Sequence, residues 1–118
     1  MNDARKKHAD RRQIDVGEMR NFARDFLGWD ELTTAQAAEM VGCSRRSWSR
    51  FENREKRIAD SQIRLFWYEV ALTKLEQAED KGPDALKEAL GGDLTVKNIF
   101  DYMFNAWERW DPALKKRD

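Results

Sequence analysis

Basic side chains are concentrated between residues 45 and 57, where six arginines and lysines accompany two acidic residues. Guanidinium groups stay charged at physiological pH and donate hydrogen bonds from a planar fork, a geometry that suits phosphates and other oxyanions. A basic patch of this kind is usually only a solvated surface. What this patch can bind therefore depends on the secondary-structure elements that carry its side chains.

The residue types needed for catalysis or metal binding are scarce. The chain has a single histidine, His8, and a single cysteine, Cys43, and it contains no nucleophile motif, phosphate-binding loop or metal-ligand spacing. We therefore expect no enzymatic activity, no cofactor and no metal. Because Cys43 cannot form an internal disulfide and the N-terminus lacks an apolar export segment, we expect a cytoplasmic protein without a membrane span.

Charge is distributed unevenly along the chain, although the net charge is zero. Residues 1–58 contain 13 basic and 10 acidic residues, whereas residues 59–118 contain 9 and 12. The first half is thus net +3 and the second net −3. This polarity is expected if the first half binds phosphates and the second half has another task.

Apolar residues recur at helical spacing along most of the chain, and no run alternates in the manner of a strand. The pattern predicts an all-α fold. Asp15 and Thr33 each begin a capping box, Ser44 and Thr95 can cap later helices, and Gly42 suits a left-handed helix end. The predicted helices cover about residues 15–27, 33–41, 44–52, 60–80, 84–90 and 95–110.

Two short predicted helices meet at Gly42-Cys43-Ser44, with small alanines on the first helix where the second would cross it. This is the layout of a helix-turn-helix. The segment resembles the Cro/CI-type (XRE-like) phage-repressor family, in which a stretch such as L-T-x-x-x-A-A-E-x-x-G-x-S-x-x-x-x-S-R-x-E-N is typical. The resemblance covers roughly residues 16–71 and implies a lambda-repressor-like fold there. The matching positions are Leu32, Thr33, Ala37, Ala38, Glu39, Gly42, Ser44, Ser49, Arg50, Glu52 and Asn53.

This resemblance implies a role for the exposed residues of the two helices. In the family the second helix lies in the major groove of DNA, so Arg45, Arg46 and Ser49 are implied to contact base edges. An arginine fork can donate two parallel hydrogen bonds to guanine O6 and N7. The implied function is transcriptional repression at an inverted-repeat operator in double-stranded DNA. The residues implied to contact phosphates are Thr34, Arg50, Arg54, Lys56 and Arg57.

Two features depart from the common family pattern. Trp48 stands where the family has an aliphatic residue, so either the core is enlarged around it or its helix lies farther from the preceding one. Residues 28–31 lengthen the connection between the first two helices. The pairing of Ser47-Trp48 with Phe51-Glu52, followed by a helical C-terminal half, is similar to the anti-CRISPR-associated (Aca) regulators. Those proteins are compact autorepressors of phages and mobile elements.

The C-terminal half concentrates aromatic residues in a net acidic region. Its last predicted helix is apolar over more of its circumference than the surface of a monomer tolerates. We therefore expect residues 81–118 to be a dimerisation region, after a basic flexible arm (residues 1–14) and a helix-turn-helix region that includes the long fourth helix (residues 15–80). The expected homodimer interface consists of Ile99, Phe100, Met103, Phe104, Trp107 and Trp110.

Two alternatives stay open at this stage. The aromatic C-terminal face could neutralise a partner protein in the manner of an antitoxin, with the helix-turn-helix in a secondary role. A stable homodimer that occupies this face would count against that alternative. Basic residues alone also allow an RNA hairpin as an additional target.

Overall fold

The computed structural model describes residues 14–111. Within this range the chain forms six α-helices and no strand, which confirms the all-α class. The predicted basic arm, apart from Ile14, and the charged tail beyond residue 111 lie outside the described residues. The helices are α1 (Val16–Leu27), α2 (Thr34–Met40), α3 (Arg45–Glu52), α4 (Asp60–Asp80), α5 (Pro83–Leu90) and α6 (Val96–Trp110).

Most helices begin where a capping residue is present. Thr33 Oγ1 accepts a hydrogen bond from the Gln36 N–H at 3.1 Å, and Gln36 Oε1 accepts one from the Thr33 N–H at 2.8 Å. This pair completes the predicted capping box of α2. Ser44 and Thr95 cap α3 and α6 through one side-chain bond each. Asp15 caps α1 by accepting one bond rather than through the predicted reciprocal pair.

The long helix α4 forms the centre of the fold. Its 21 residues extend over about 30 Å and carry buried apolar side chains from Ile63 to Leu75. Trp67 is fully buried and contacts Phe22 of α1 and Trp110 of α6, with ring centroids 6.0 and 5.9 Å apart. One continuous cluster of buried side chains therefore joins the N-terminal helices to α6.

The apolar stripe of α6 divides between the inside and the outside of the molecule. Met103 and Trp107, only 3% and 4% exposed, belong to the chain's own core. They are therefore not accessible to a second protein, and the predicted dimer interface is corrected at these two positions. The exposed members of the predicted interface are Phe100 and Phe104, and the half-buried members are Ile99 and Trp110.

Replacing Trp67 with alanine tests whether one core holds both halves of the chain together. We expect Trp67→Ala to lower the free energy of unfolding by about 3–5 kcal/mol, because a large buried ring is lost from contacts with two other helices. Urea denaturation followed by circular dichroism measures this change. Leu94→Ala is the control, with an expected cost below about 1 kcal/mol since Leu94 is 63% exposed and lies in none of the packed clusters. Two separate unfolding transitions of the wild-type protein in urea would contradict a shared core.

Candidate nucleic-acid interface

The connection between α2 and α3 is a tight turn with a left-handed residue. Gly42 has a φ of +69°, a conformation that a residue with a Cβ rarely adopts. The Cys43 N–H donates to the Ala38 carbonyl at 3.0 Å and so satisfies a backbone acceptor at the end of α2. Ala37 and Ala38 are buried, and their small side chains let α3 pack closely on α2. The predicted role of Gly42 at the end of α2 is confirmed.

Helix α3 separates its apolar and basic residues onto different faces. Trp48 and Phe51 are buried at 0% and 2% exposure. The side chains of Arg45, Arg46 and Arg50 are exposed, and together with half-buried Ser49 they lie within about 140° of the helix circumference. The structure thus brings the three predicted base-contacting residues onto one outward face.

The Trp48 indole is accommodated by an aromatic ring on α4. It stacks on Phe66 with centroids 5.6 Å apart and planes 26° from parallel, and it meets Phe51 edge to face at 6.2 Å. Of the two alternatives that its size raises, the structure favours an enlarged core, because α4 provides a flat surface for the ring. The Phe66 contact consequently holds the buried side of α3 against α4, while the Phe51 contact lies within α3 itself.

Arg20 of α1 makes a long-range contact with Glu52 of α3 that the sequence does not predict. Its Nε and Nη2 atoms donate to the two carboxylate oxygens of Glu52 at 2.7 and 3.0 Å, and its Nη1 donates to the Leu32 carbonyl at 2.8 Å. The Trp48 indole N–H also donates to Glu52. Hydrogen bonding to Glu52 raises the pKa of Arg20, because it stabilises the charged guanidinium. No local pattern signals this bond, since the two residues are 32 positions apart.

The basic face of α3 lacks compensating charge within the described part of the chain. Among residues 14–111, the side chains of Arg45, Arg46, Arg50 and Arg57 form no ion pair and no side-chain hydrogen bond. Two of them, Arg45 and Arg46, occupy the first turn of α3, where the helix dipole disfavours positive charge. The arrangement is electrostatically unfavourable in the isolated protein, and it would become favourable beside an anion.

The predicted phosphate contacts have varied surroundings. Thr34 is half-buried in the first turn of α2, whereas Arg57 is exposed in the loop after α3. Arg54 has a left-handed backbone with φ +61°, and its guanidinium lies 3.8 Å from the Asp15 carboxylate. The Lys56 ammonium lies 5.9 Å from the centre of the Phe51 ring. Arg54 and Lys56 are therefore partly engaged within the protein, while Arg50 and Arg57 are not.

Cys43 lies in the turn between α2 and α3. Its thiol is half-buried, and burial raises its pKa despite the opposing effect of nearby Lys56. Because of the raised pKa, the Cys43 side chain is a thiol at neutral pH and not the more reactive thiolate. Cys43 therefore acts as a small side chain that packs against the core.

A second exposed surface lies on the opposite half of the chain and is apolar. Phe100 contacts Tyr68 of α4 with ring centroids 6.5 Å apart, and Leu65 precedes Tyr68 by one helical turn. Val96 and Phe104 lie one turn before and after Phe100 on α6. We call these five residues the Phe100 face. Four of them are exposed by 37% to 71%, and Tyr68 is half-buried.

Neither a metal site nor a membrane-spanning segment occurs within the described residues. No group of three or more histidine, cysteine, aspartate or glutamate side chains between residues 14 and 111 is placed to hold a metal ion. No helix in the same range is long and apolar enough to cross a bilayer.

Comparisons of the chain with models of protein families, with curated proteins and with solved structures find no match.

Removing the charge of Glu52 tests the contact between α1 and α3. We expect Glu52→Gln to lower the free energy of unfolding by about 1–3 kcal/mol, because an amide cannot accept both guanidinium hydrogen bonds and also the indole N–H. Urea denaturation measures the loss. Glu39→Gln, at an exposed position of α2, is the matched control and should change stability by less than about 0.5 kcal/mol. Equal stability of the two variants would show that the Arg20 contact contributes little.

Proposed function

We propose that this protein is a sequence-specific DNA-binding transcriptional repressor of the helix-turn-helix type. The observation that carries the proposal is the outward face of α3, where Arg45, Arg46 and Arg50 lack a charge partner among the described residues. A polyanion supplies the missing negative charge. The short helix α2, the tight turn at Gly42 and the match of this segment to the Cro/CI-type pattern support double-stranded DNA as that polyanion.

In this proposal α3 enters the major groove and its N-terminal half faces the base edges. Arg45 or Arg46 donates two hydrogen bonds to a guanine, and each such pair contributes about 1–3 kcal/mol of discrimination against other bases. Ser49 lies one turn along the same face and adds a short polar contact. The phosphate contacts come chiefly from Thr34, Arg50 and Arg57, with Arg54 and Lys56 added when they exchange their internal contacts for the DNA backbone.

One such module contacts few base pairs, so we propose that the protein acts as a homodimer. The Phe100 face is the surface that supports this step. It combines four exposed apolar side chains from two adjacent helices, and aromatic residues are enriched where interfaces are fully buried. A two-fold dimer places two α3 helices on successive turns of the duplex and therefore requires an inverted repeat. Repression, including repression of the protein's own promoter, follows if the dimer excludes RNA polymerase.

Arginine substitutions on α3 test the proposed base contacts. We expect Arg45→Ala or Arg46→Ala to weaken binding to a selected operator by about 1–3 kcal/mol and to change the preferred sequence, because a bidentate contact to guanine is lost. Lys56→Ala should weaken binding to all sequences alike. It should also reduce the slope of log affinity against log salt concentration by about one, because one phosphate contact is lost. In vitro selection from random duplexes, followed by fluorescence anisotropy at two salt concentrations, measures both effects.

Lys97→Ala is the control for these measurements. Lys97 is on α6 and pairs with Asp101 at 2.8 Å, away from the α2 and α3 surface. It should not alter the affinity or the preferred sequence. Equal losses on operator and random DNA for Arg45→Ala, Arg46→Ala and Lys56→Ala would contradict the assignment of base contacts. Tighter binding of the wild type to RNA hairpins than to any selected duplex would overturn the choice of DNA.

Charged substitutions on the Phe100 face test the proposed dimer. We expect Phe100→Glu or Phe104→Glu to convert a dimer into a monomer of 13.9 kDa, because burying an unpaired carboxylate opposes association. Light scattering after size-exclusion chromatography measures the mass. Ala35→Glu, at an exposed position of α2, is the control and should remain dimeric. A monomeric wild type would contradict the homodimer and would favour the antitoxin-like alternative, in which this face binds another protein.

A further inference from the structure

A groove with a basic rim lies between α4, α5 and α6, on a part of the molecule that the proposed DNA contact does not use. Its larger part has a volume of about 360 Å³, and a smaller adjoining part has about 120 Å³. The two parts share Ala89 and Tyr102 as lining residues, so they adjoin one another and are treated together as one groove. We call it the Tyr102 groove. Its larger part alone has the size of ordinary small-molecule sites, about 300–1,000 Å³.

Apolar side chains form part of the groove's lining, beside polar and charged ones, and lie close to an aromatic pair. Small side chains from three helices line the groove, and Tyr102 meets Phe26 of α1 with ring centroids 6.4 Å apart. Such a surface favours a flat apolar body that can pack on an aromatic ring. The small lining side chains are Ala78, Ala85, Ala89 and Ala106.

Positive charge converges on the same place. The Lys74 ammonium lies 5.4 Å and the Arg109 guanidinium 5.8 Å from the centre of the Phe26 ring, and Lys81 lines the larger part of the groove. Among residues 14–111 none of these three cations forms an ion pair, although the Glu88 carboxylate also lines the groove. The helix dipole favours cations at helix C-termini, such as Lys81 and Arg109, whereas Lys74 within α4 is stabilised by the Phe26 ring.

Tyr102 adds a hydrogen-bond donor to this site. Its hydroxyl forms no hydrogen bond within the described residues. The phenol is protonated at neutral pH, as any tyrosine is, and burial raises its pKa further. A protonated phenol beside Arg109 can donate to an oxyanion, as the guanidinium itself does.

We propose that the Tyr102 groove binds a small aromatic carboxylate. The ring of the ligand packs on Tyr102 and the lining alanines, and its carboxylate accepts hydrogen bonds from Arg109 and Tyr102 while Lys74 adds positive potential. The anion supplies negative charge to cations that form no ion pair among the described residues, and the apolar body excludes water from the aromatic rings. This inference is independent of DNA binding, because no residue of α2 or α3 lines the groove.

Titration of the full-length ¹⁵N-labelled protein with 2-naphthoate, followed by amide chemical shifts, tests the proposal. We expect saturable shifts at Phe26, Ala89 and Asn105, the last of which lines the smaller part of the groove. The uncharged isostere 2-naphthamide should bind at least about tenfold more weakly, because it lacks the charge that Arg109 and Lys74 attract. Shifts confined to the Phe100 face, equal affinity for the two probes or no saturation would each overturn the proposal.

Variants of the groove cations complete the test. Arg109→Gln and Lys74→Gln should each weaken 2-naphthoate binding, Arg109→Gln by about tenfold, because a charged hydrogen bond is lost. Lys97→Gln removes a cation from α6 outside the groove and should leave the affinity unchanged. The amide spectra show directly whether each variant is folded. Folded Arg109→Gln and Lys74→Gln proteins that bind as tightly as the wild type would contradict the assigned carboxylate site.

Discussion

The contact between Arg20 and Glu52 is the constraint on which the orientation of α3 depends. A single carboxylate joins the guanidinium of α1 to the Trp48 indole of α3, while the same guanidinium holds the Leu32 carbonyl ahead of α2. Both charged side chains are about four-fifths buried, at 22% and 17% exposure. In such a partly dry environment, a paired charge with several hydrogen bonds fixes geometry more firmly than an exposed ion pair does. The orientation of the basic face of α3 is therefore fixed by the Arg20 and Glu52 side chains that lie beneath it.

The aromatic core extends this constraint through the whole molecule. Trp48 stacks on Phe66, Phe66 meets Trp67 edge to face, and Trp67 contacts Trp110 near the end of α6. A rigid series of rings therefore connects the basic surface of α3 with the helix that carries the Phe100 face. If both surfaces act as we propose, the spacing of the two basic faces in a dimer is set by packing inside each protomer. It does not depend on a flexible linker.

The parts of this fold that sequence predicts well are those governed by local physics. Helical periodicity and caps such as Thr33 and Ser44 depend on residues within one or two turns, and the structure forms these caps. Long-range contacts are different, because helical spacing shows which residues of α6 are apolar but not which of them another helix covers. Helical spacing therefore places Met103 and Trp107 on a surface that they do not reach. The Arg20 contact escapes prediction for the same reason, since only the tertiary fold brings Arg20 to Glu52.

The left-handed backbone of Arg54 has a consequence for the basic loop after α3. Most residues other than glycine avoid this conformation at a cost of about 1–2 kcal/mol, yet here a cationic side chain occupies it. The amides of residues 54, 55 and 56 all donate to carbonyls in the last turns of α3, at 2.9 to 3.2 Å. The loop is consequently ordered in the unbound protein, so binding of a polyanion does not cost backbone conformational entropy there. Replacing Arg54 with glycine would relieve the backbone strain. It would also remove a positive charge from the turn and increase the conformational entropy of the unfolded chain.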